Sequence, residues 1–249
     1  MKTTYTIQYV ISSVLLLFCM FVNAQVENSI AIDSIEYKQK YGLRLGADIS
    51  KLVRTFVDDD YKGFELNADF RLTKKLFIAA EMGTEEKTTT TDFISATANG
   101  SYFKLGLDYN MYTNWLDMSN MIYSGFRTGF STFSQTRNSY TVYNQDQFWQ
   151  PQLTNMESTN FSGLSATWLE FIIGIKAEVY NNLFVGLNAQ LKGIIANDDI
   201  DNFESLYIPG FNKTYDSGKF GVGFGYTISY FIPIFKKEKD ITKEELVKD

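Results

Sequence analysis

The sequence predicts an all-β fold: an eight-stranded antiparallel up-and-down transmembrane β-barrel with a polar, plugged interior. Three observations carry that expectation. Eight segments alternate apolar with polar or small residues at a period of two, the signature of strands with two unlike faces. No position on the apolar face is charged, whereas the opposite face carries Arg, Lys, Asp and Glu. The connections alternate between short and long, as in a barrel with both termini on one side of a membrane.

Residues 1–24 read as a signal peptide, with Lys2, the apolar run Val10 to Val22 and a Val22-Asn23-Ala24 cleavage site. The single cysteine, Cys19, lies in that run, so the mature chain has no thiol chemistry and no disulfide. Residues 25–40 are polar and aperiodic and read as a periplasmic lead, and the barrel is expected over 41–235. Strand one sets Tyr41, Leu43, Leu45, Ala47 and Ile49 against Gly42, Arg44, Gly46, Asp48 and Ser50. Residues 51–61, with Asp58-Asp59-Asp60, read as a loop. Strand two opposes Phe64, Leu66, Ala68, Phe70 and Leu72 to Glu65, Asn67, Asp69 and Arg71, and Thr73-Lys74-Lys75 turns the chain. Strand three opposes Leu76, Ile78, Ala80 and Met82 to Phe77, Glu81 and Glu85; a Thr-rich stretch over 86–100 reads as a loop.

Strand four opposes Phe103, Leu105, Leu107, Tyr109 and Met111 to Tyr102, Lys104 and Asp108. Trp115 sits in the next connection as an interface anchor. Strand five runs from Ile122 to Ser131 with Arg127 on its polar face, and a long aromatic and polar loop follows over 132–166. Strand six opposes Leu169, Phe171, Ile173, Ile175 and Val179 to Glu170, Lys176 and Glu178. Asn181-Asn182 suits a two-residue hairpin turn with positive φ. Strand seven opposes Leu183, Val185, Leu187 and Leu191 to Gln190 and Lys192. A loop over 196–218 leads to strand eight, where Phe220, Val222, Phe224, Tyr226, Ile228, Tyr230, Ile232 and Ile234 alternate with glycines and small polar residues. Residues 236–249 form a charged periplasmic tail.

A Lys or Arg facing mid-bilayer lipid costs about 2–4 kcal/mol, so a charge-free outer face is what a membrane requires. The interior of eight strands is just filled by side chains. The predicted interior network is Arg44, Asp48, Glu65, Asp69, Arg71, Glu81, Lys104, Asp108, Arg127, Glu170, Lys176, Glu178 and Lys192, a near balance of signs that reads as a cross-linked plug. A pore needs a wider lumen. A soluble lipocalin-like carrier would invert the two faces, placing the apolar set around a ligand.

The chain has no histidine, which removes Ser-His-Asp and Cys-His catalysis and His-based zinc sites. The carboxylate pairs Glu81 with Glu85 and Glu170 with Glu178 could serve acid–base work, but their place in a polar plug favours a structural role. A sequence pI near 4.9 and a net charge of −6 argue against nucleic acid. The acidic groups Asp58, Asp59, Asp60, Asp199 and Asp201 carry oxygen ligands suited to a divalent cation, without the spacing of an EF-hand; a solvated acidic loop is the plainer reading. Tyr140, Tyr143, Phe148 and Trp149 form a mixture suited to recognising a surface protein or glycan, or to a flap on the barrel mouth.

The stretches Asp60-Tyr-Lys-Gly-Phe-Glu-Leu, Asp108-Tyr-Asn-Met-Tyr, Gly129-Phe-Ser-Thr-Phe-Ser-Gln and Leu206-Tyr-Ile-Pro-Gly-Phe-Asn, with the last strand, carry a resemblance over nearly the whole mature chain. In them the sequence resembles an uncharacterised Bacteroidota outer-membrane β-barrel family, a domain of unknown function. The resemblance implies that fold and compartment and brings no catalytic residues. The expectation is a non-enzymatic, cofactor-free, monomeric outer-membrane protein in contact with lipid and lipopolysaccharide, with a structural or surface-interaction role through long loops. A small pore and an accessory barrel in export or envelope assembly are the alternatives.

Overall fold

The structure, a computed structural model, describes residues 38–112, 119–142, 153–198, 200, 203, 205–213 and 219–238. The elements in order are β1 (Lys38–Asp48), α1 (Ile49–Val57), β2 (Tyr61–Arg71), β3 (Leu76–Thr90), β4 (Ile94–Asn110), β5 (Met121–Val142), β6 (Leu153–Asn155), β7 (Thr159–Tyr180), β8 (Leu183–Asn197), β9 (Tyr207–Ile208), β10 (Asn212–Lys213) and β11 (Phe220–Glu238). The main sheet is antiparallel in the order β4-β3-β2-β1-β11-β8-β7-β5, and a β4–β5 pairing closes it into a ring. Among the described residues strand β6 pairs with the far end of β5 alone, and β9 and β10 form a separate two-stranded ribbon.

Alternation decides the two faces of the ring. Leu105, Leu107, Ile173, Ile175, Leu187, Ile228 and Ile232 are exposed, while Arg44, Lys104, Asp108, Arg127, Glu170 and Lys192 are buried. A lipocalin-like carrier would have the reverse sidedness. At one end the chain turns tightly: Thr73 Oγ1 accepts from the Lys75 and Leu76 amides, and Asn182 adopts φ 61° between β7 and β8. At the other end the hairpins are tall.

Four expectations are corrected. Of residues 51–61 only 58–60 form a turn: 51–57 are helix, Tyr61 opens β2, and Ile49 and Ser50 begin the helix rather than extend the first strand. Asp48 caps α1 by accepting from the Ser50 amide at 2.8 Å, and Ile49, Leu52, Val53, Phe56 and Val57 recur at helical spacing. The Thr-rich stretch is not a loop either. Strands β3 and β4 continue through it to a three-residue turn, with Thr88 and Thr97 hydroxyls 2.9 Å apart across the ladder. Most of the long loop over 132–166 belongs to β5 and β7, so the long connections are largely tall hairpins rather than loops. Tyr41, expected outside, is buried and stacks on Phe235, because a bulge between Tyr41 and Gly42 shifts the register against β11. β1 and β11 each reach beyond 41–235. The signal segment, Trp115 and the tail from 239 lie outside the described residues.

Candidate functional site

Because every second side chain points into the ring, register places opposite charges beside one another. Glu81 of β3 faces Lys104 of β4; Arg127 of β5 faces Glu170 of β7, which faces Lys192 of β8. Contacts follow from that placement. Arg127 donates to both carboxylate oxygens of Asp108, at 2.7 and 3.0 Å, with its Nε 3.4 Å from Glu81. Lys104 Nζ lies 2.7 Å from Glu81, 3.3 Å from Glu65 and 3.8 Å from Glu170. Lys176 donates to Asp69 at 2.6 Å, and Arg44 Nε is 3.4 Å from the same carboxylate while its guanidinium lies 4.5 Å from the Phe184 ring centre. Lys192 lies 3.5 Å from Glu170 and donates to the Gly210 carbonyl at 2.7 Å. Burying these charges is tolerable because each has opposite charge within reach.

Three members of the predicted network serve elsewhere. Arg71 donates to the Lys40, Thr73 and Lys74 carbonyls near the tight-turn end. Glu178 accepts from the Asn182 amide and fixes the β7–β8 turn. Asp48 caps α1 and accepts from the Tyr226 amide at 3.3 Å.

Toward the tall end lies a second cluster, centred on Glu85. Its carboxylate accepts from Lys51 of α1, from the Tyr61 hydroxyl at 2.9 Å, and from the Tyr207 hydroxyl and Gly210 amide at 2.8 Å each. Tyr102 donates to Glu65 at 2.5 Å, and Trp168 donates to Glu170 at 2.7 Å. Alternation places Glu85 on the inward face but gives no sign of Lys51, Tyr61 and Tyr207 as its partners, or of Trp168 beside Glu170. The missing signal was the segment Leu206-Tyr-Ile-Pro-Gly-Phe-Asn, read as part of a loop. It folds inward as the β9–β10 ribbon and buries Ile208 and Phe211 against Tyr102, Phe133, Leu164, Ala166 and Trp168. Gly210 makes this possible, at φ 82° and against the Tyr102 ring, where a side chain would be both strained and crowded.

Asp58 is held by Lys87 at 3.0 Å and Arg54 at 3.3 Å, and the Lys87 hydrogen bond keeps its carboxyl below the ordinary range. Asp59 and Asp60 are exposed; Asp199 and Asp201 lie outside the described residues. Among the described residues no three acidic or thiol groups converge as metal ligands. Tyr140 stands on β5, 4.7 Å from the Arg137 guanidinium and 3.2 Å from the Asn155 amide; Tyr143, Phe148 and Trp149 lie outside the described residues.

Comparison with curated proteins returns no match. Among solved structures, the chain is similar to Ail, the attachment invasion locus protein of Yersinia pestis, at 8% identity and a TM-score of 0.39, covering 78% of this chain and 98% of that one. A family model matches residues 6–237, and the chain belongs to that family, the domain of unknown function DUF6048.

Proposed function

We propose that the protein is an eight-stranded outer-membrane β-barrel of a Gram-negative cell, closed by an internal plug, acting as a non-enzymatic surface-interaction protein through its tall hairpins. The observation that carries this reading is the sidedness of the closed ring: apolar side chains exposed all round it, charges buried inside. The buried ion pairs and the inserted β9–β10 ribbon favour a closed interior over a conducting pore. The absence of histidine and the occupation of the buried carboxylates by Lys, Arg, Tyr and Trp donors favour a structural over a catalytic role. Lipid and lipopolysaccharide surround the belt, and a surface protein or glycan is the partner class for the hairpins bearing Tyr140.

Topology tests it. Asp92→Cys, at the tip of the β3–β4 hairpin, should react with a membrane-impermeant maleimide on intact cells, whereas Lys74→Cys in the opposite turn should react only after permeabilisation. Equal labelling of both on intact cells, or of neither, contradicts the proposal.

A further inference from the structure

The ring wall is incomplete at the tall end. Strand β1 stops at Asp48, opposite Thr227 of β11, and its pairing with β2 ends at Ala47 and Leu66. Above that point, Phe220–Tyr226 of β11 pair with β8 on one side and, among the described residues, with no strand on the other. Tyr61–Glu65 of β2 are likewise paired with β3 alone. Helix α1 stands in this opening and packs on both edges. The Thr55 hydroxyl accepts from the Gly63 amide at 2.9 Å, its one proton facing the Lys51 carbonyl at 2.9 Å and the Gly63 carbonyl at 3.2 Å, and Asp48 takes the Tyr226 amide. Open sheet edges do not face hydrocarbon unaided, so these side chains replace part of the missing ladder.

The helix leaves a cleft of about 770 Å³ on its β11 side. Its outer lining is apolar, with Val53, Val57, Val222, Phe224 and Tyr226. Val222 is 75% exposed and Phe224 69%, continuing the apolar row of β11. Its inner lining holds Lys51, Lys104 and Lys192, with Asp48, Glu65 and Gln190. The other carboxylates that pair with these lysines, Glu81, Glu85 and Glu170, do not line the cleft. The cleft thus runs from a greasy lateral mouth to a floor where cations outnumber anions.

We infer that this cleft binds one long acyl chain of an amphiphile with an anionic headgroup, entering sideways from the outer leaflet. The chain lies along Val53, Val222 and Phe224, and the head reaches Lys51, Lys104 and Lys192. The volume suits a molecule of that size, since ligand sites span about 300–1,000 Å³. A strand adding to the β11 edge would have to displace α1, which packs there, and break the hydrogen bond from the Tyr226 amide to Asp48. The inference rests on the membrane-barrel reading, and its test keeps the two apart.

Purified full-length protein, reconstituted in lipid and first checked for a heat-dependent gel shift, is irradiated with a long-chain fatty acid bearing a diazirine at its methyl end. Adducts should concentrate on residues 49–57 and 220–226. V222W should reduce them about tenfold, as should V57W where the first variant folds poorly, while L105W on β4 leaves them unchanged. The matching fatty alcohol should label the cleft several-fold less; equal labelling overturns the anionic headgroup. Adducts spread evenly round the belt, or absent from 49–57 and 220–226, overturn the site while leaving the barrel intact. Loss of the heat shift itself would instead overturn the membrane-barrel reading.

Discussion

Glu85 receives the Lys51 ammonium, two tyrosine hydroxyls and a backbone amide, so one carboxylate ties α1, β2, β3 and the β9–β10 ribbon together. Glu85→Ala should raise amide hydrogen exchange in 49–57 and 205–213 while leaving the strands near the tight turns protected. Arg127 belongs to the opposite case. Arg127→Met removes both hydrogen bonds to the buried Asp108 carboxylate, leaves Glu81 with Lys104 alone, and should destabilise by about 3–5 kcal/mol in denaturant titration. Asp58, outside the ring wall, carries a pH dependence. Its folded value lies below the ordinary 3.8 because Lys87 donates to it. Its anchoring is therefore fully present above the ordinary value and is lost as pH falls through the lowered one. Exchange at 49–57 should rise on acidification in that window, and Lys87→Met should abolish the rise. Alternation alone put Arg44, Lys104, Asp108, Arg127, Glu170 and Lys192 on one face, and these six are buried. The partners of Glu85 were not, because Lys51 and Tyr207 come from outside any period-two segment.

The strands of the apolar belt were readable because one face is exposed and apolar and the other buried and polar, which forces strict alternation. The upper reaches of β3, β4, β5 and β7 have polar residues on both faces, so the same backbone leaves no periodic trace there. Thr88, Thr97 and their neighbours belong to a ladder whose only sequence cue is β-branching. Helix α1 did carry its cue, in Ile49, Leu52, Val53, Phe56 and Val57, but the acidic run after it and the strand pattern before it suggested a loop. Its docking is testable. Thr55→Val removes the acceptor of the Gly63 amide and should cost about 1–2 kcal/mol, with faster exchange of that amide. Unchanged exchange there would show that the helix does not protect the β2 edge.

At the scale of the sheet, closure by the β4–β5 pairing is what turns the alternating segments into a wall with an inside and an outside. The apolar belt then reads as the surface that meets hydrocarbon, and Leu187→Arg near its middle should cost about 2–4 kcal/mol in a bilayer. The inserted ribbon was the feature least legible in advance, since a short aromatic segment gives no local sign that it will turn into its own barrel mouth. The most direct test of the membrane barrel is electrophoresis of the outer-membrane fraction with and without boiling. A detergent-resistant ring in that fraction migrates faster unboiled, and the account predicts that shift. A protein recovered from the soluble periplasm, migrating identically either way, would contradict it.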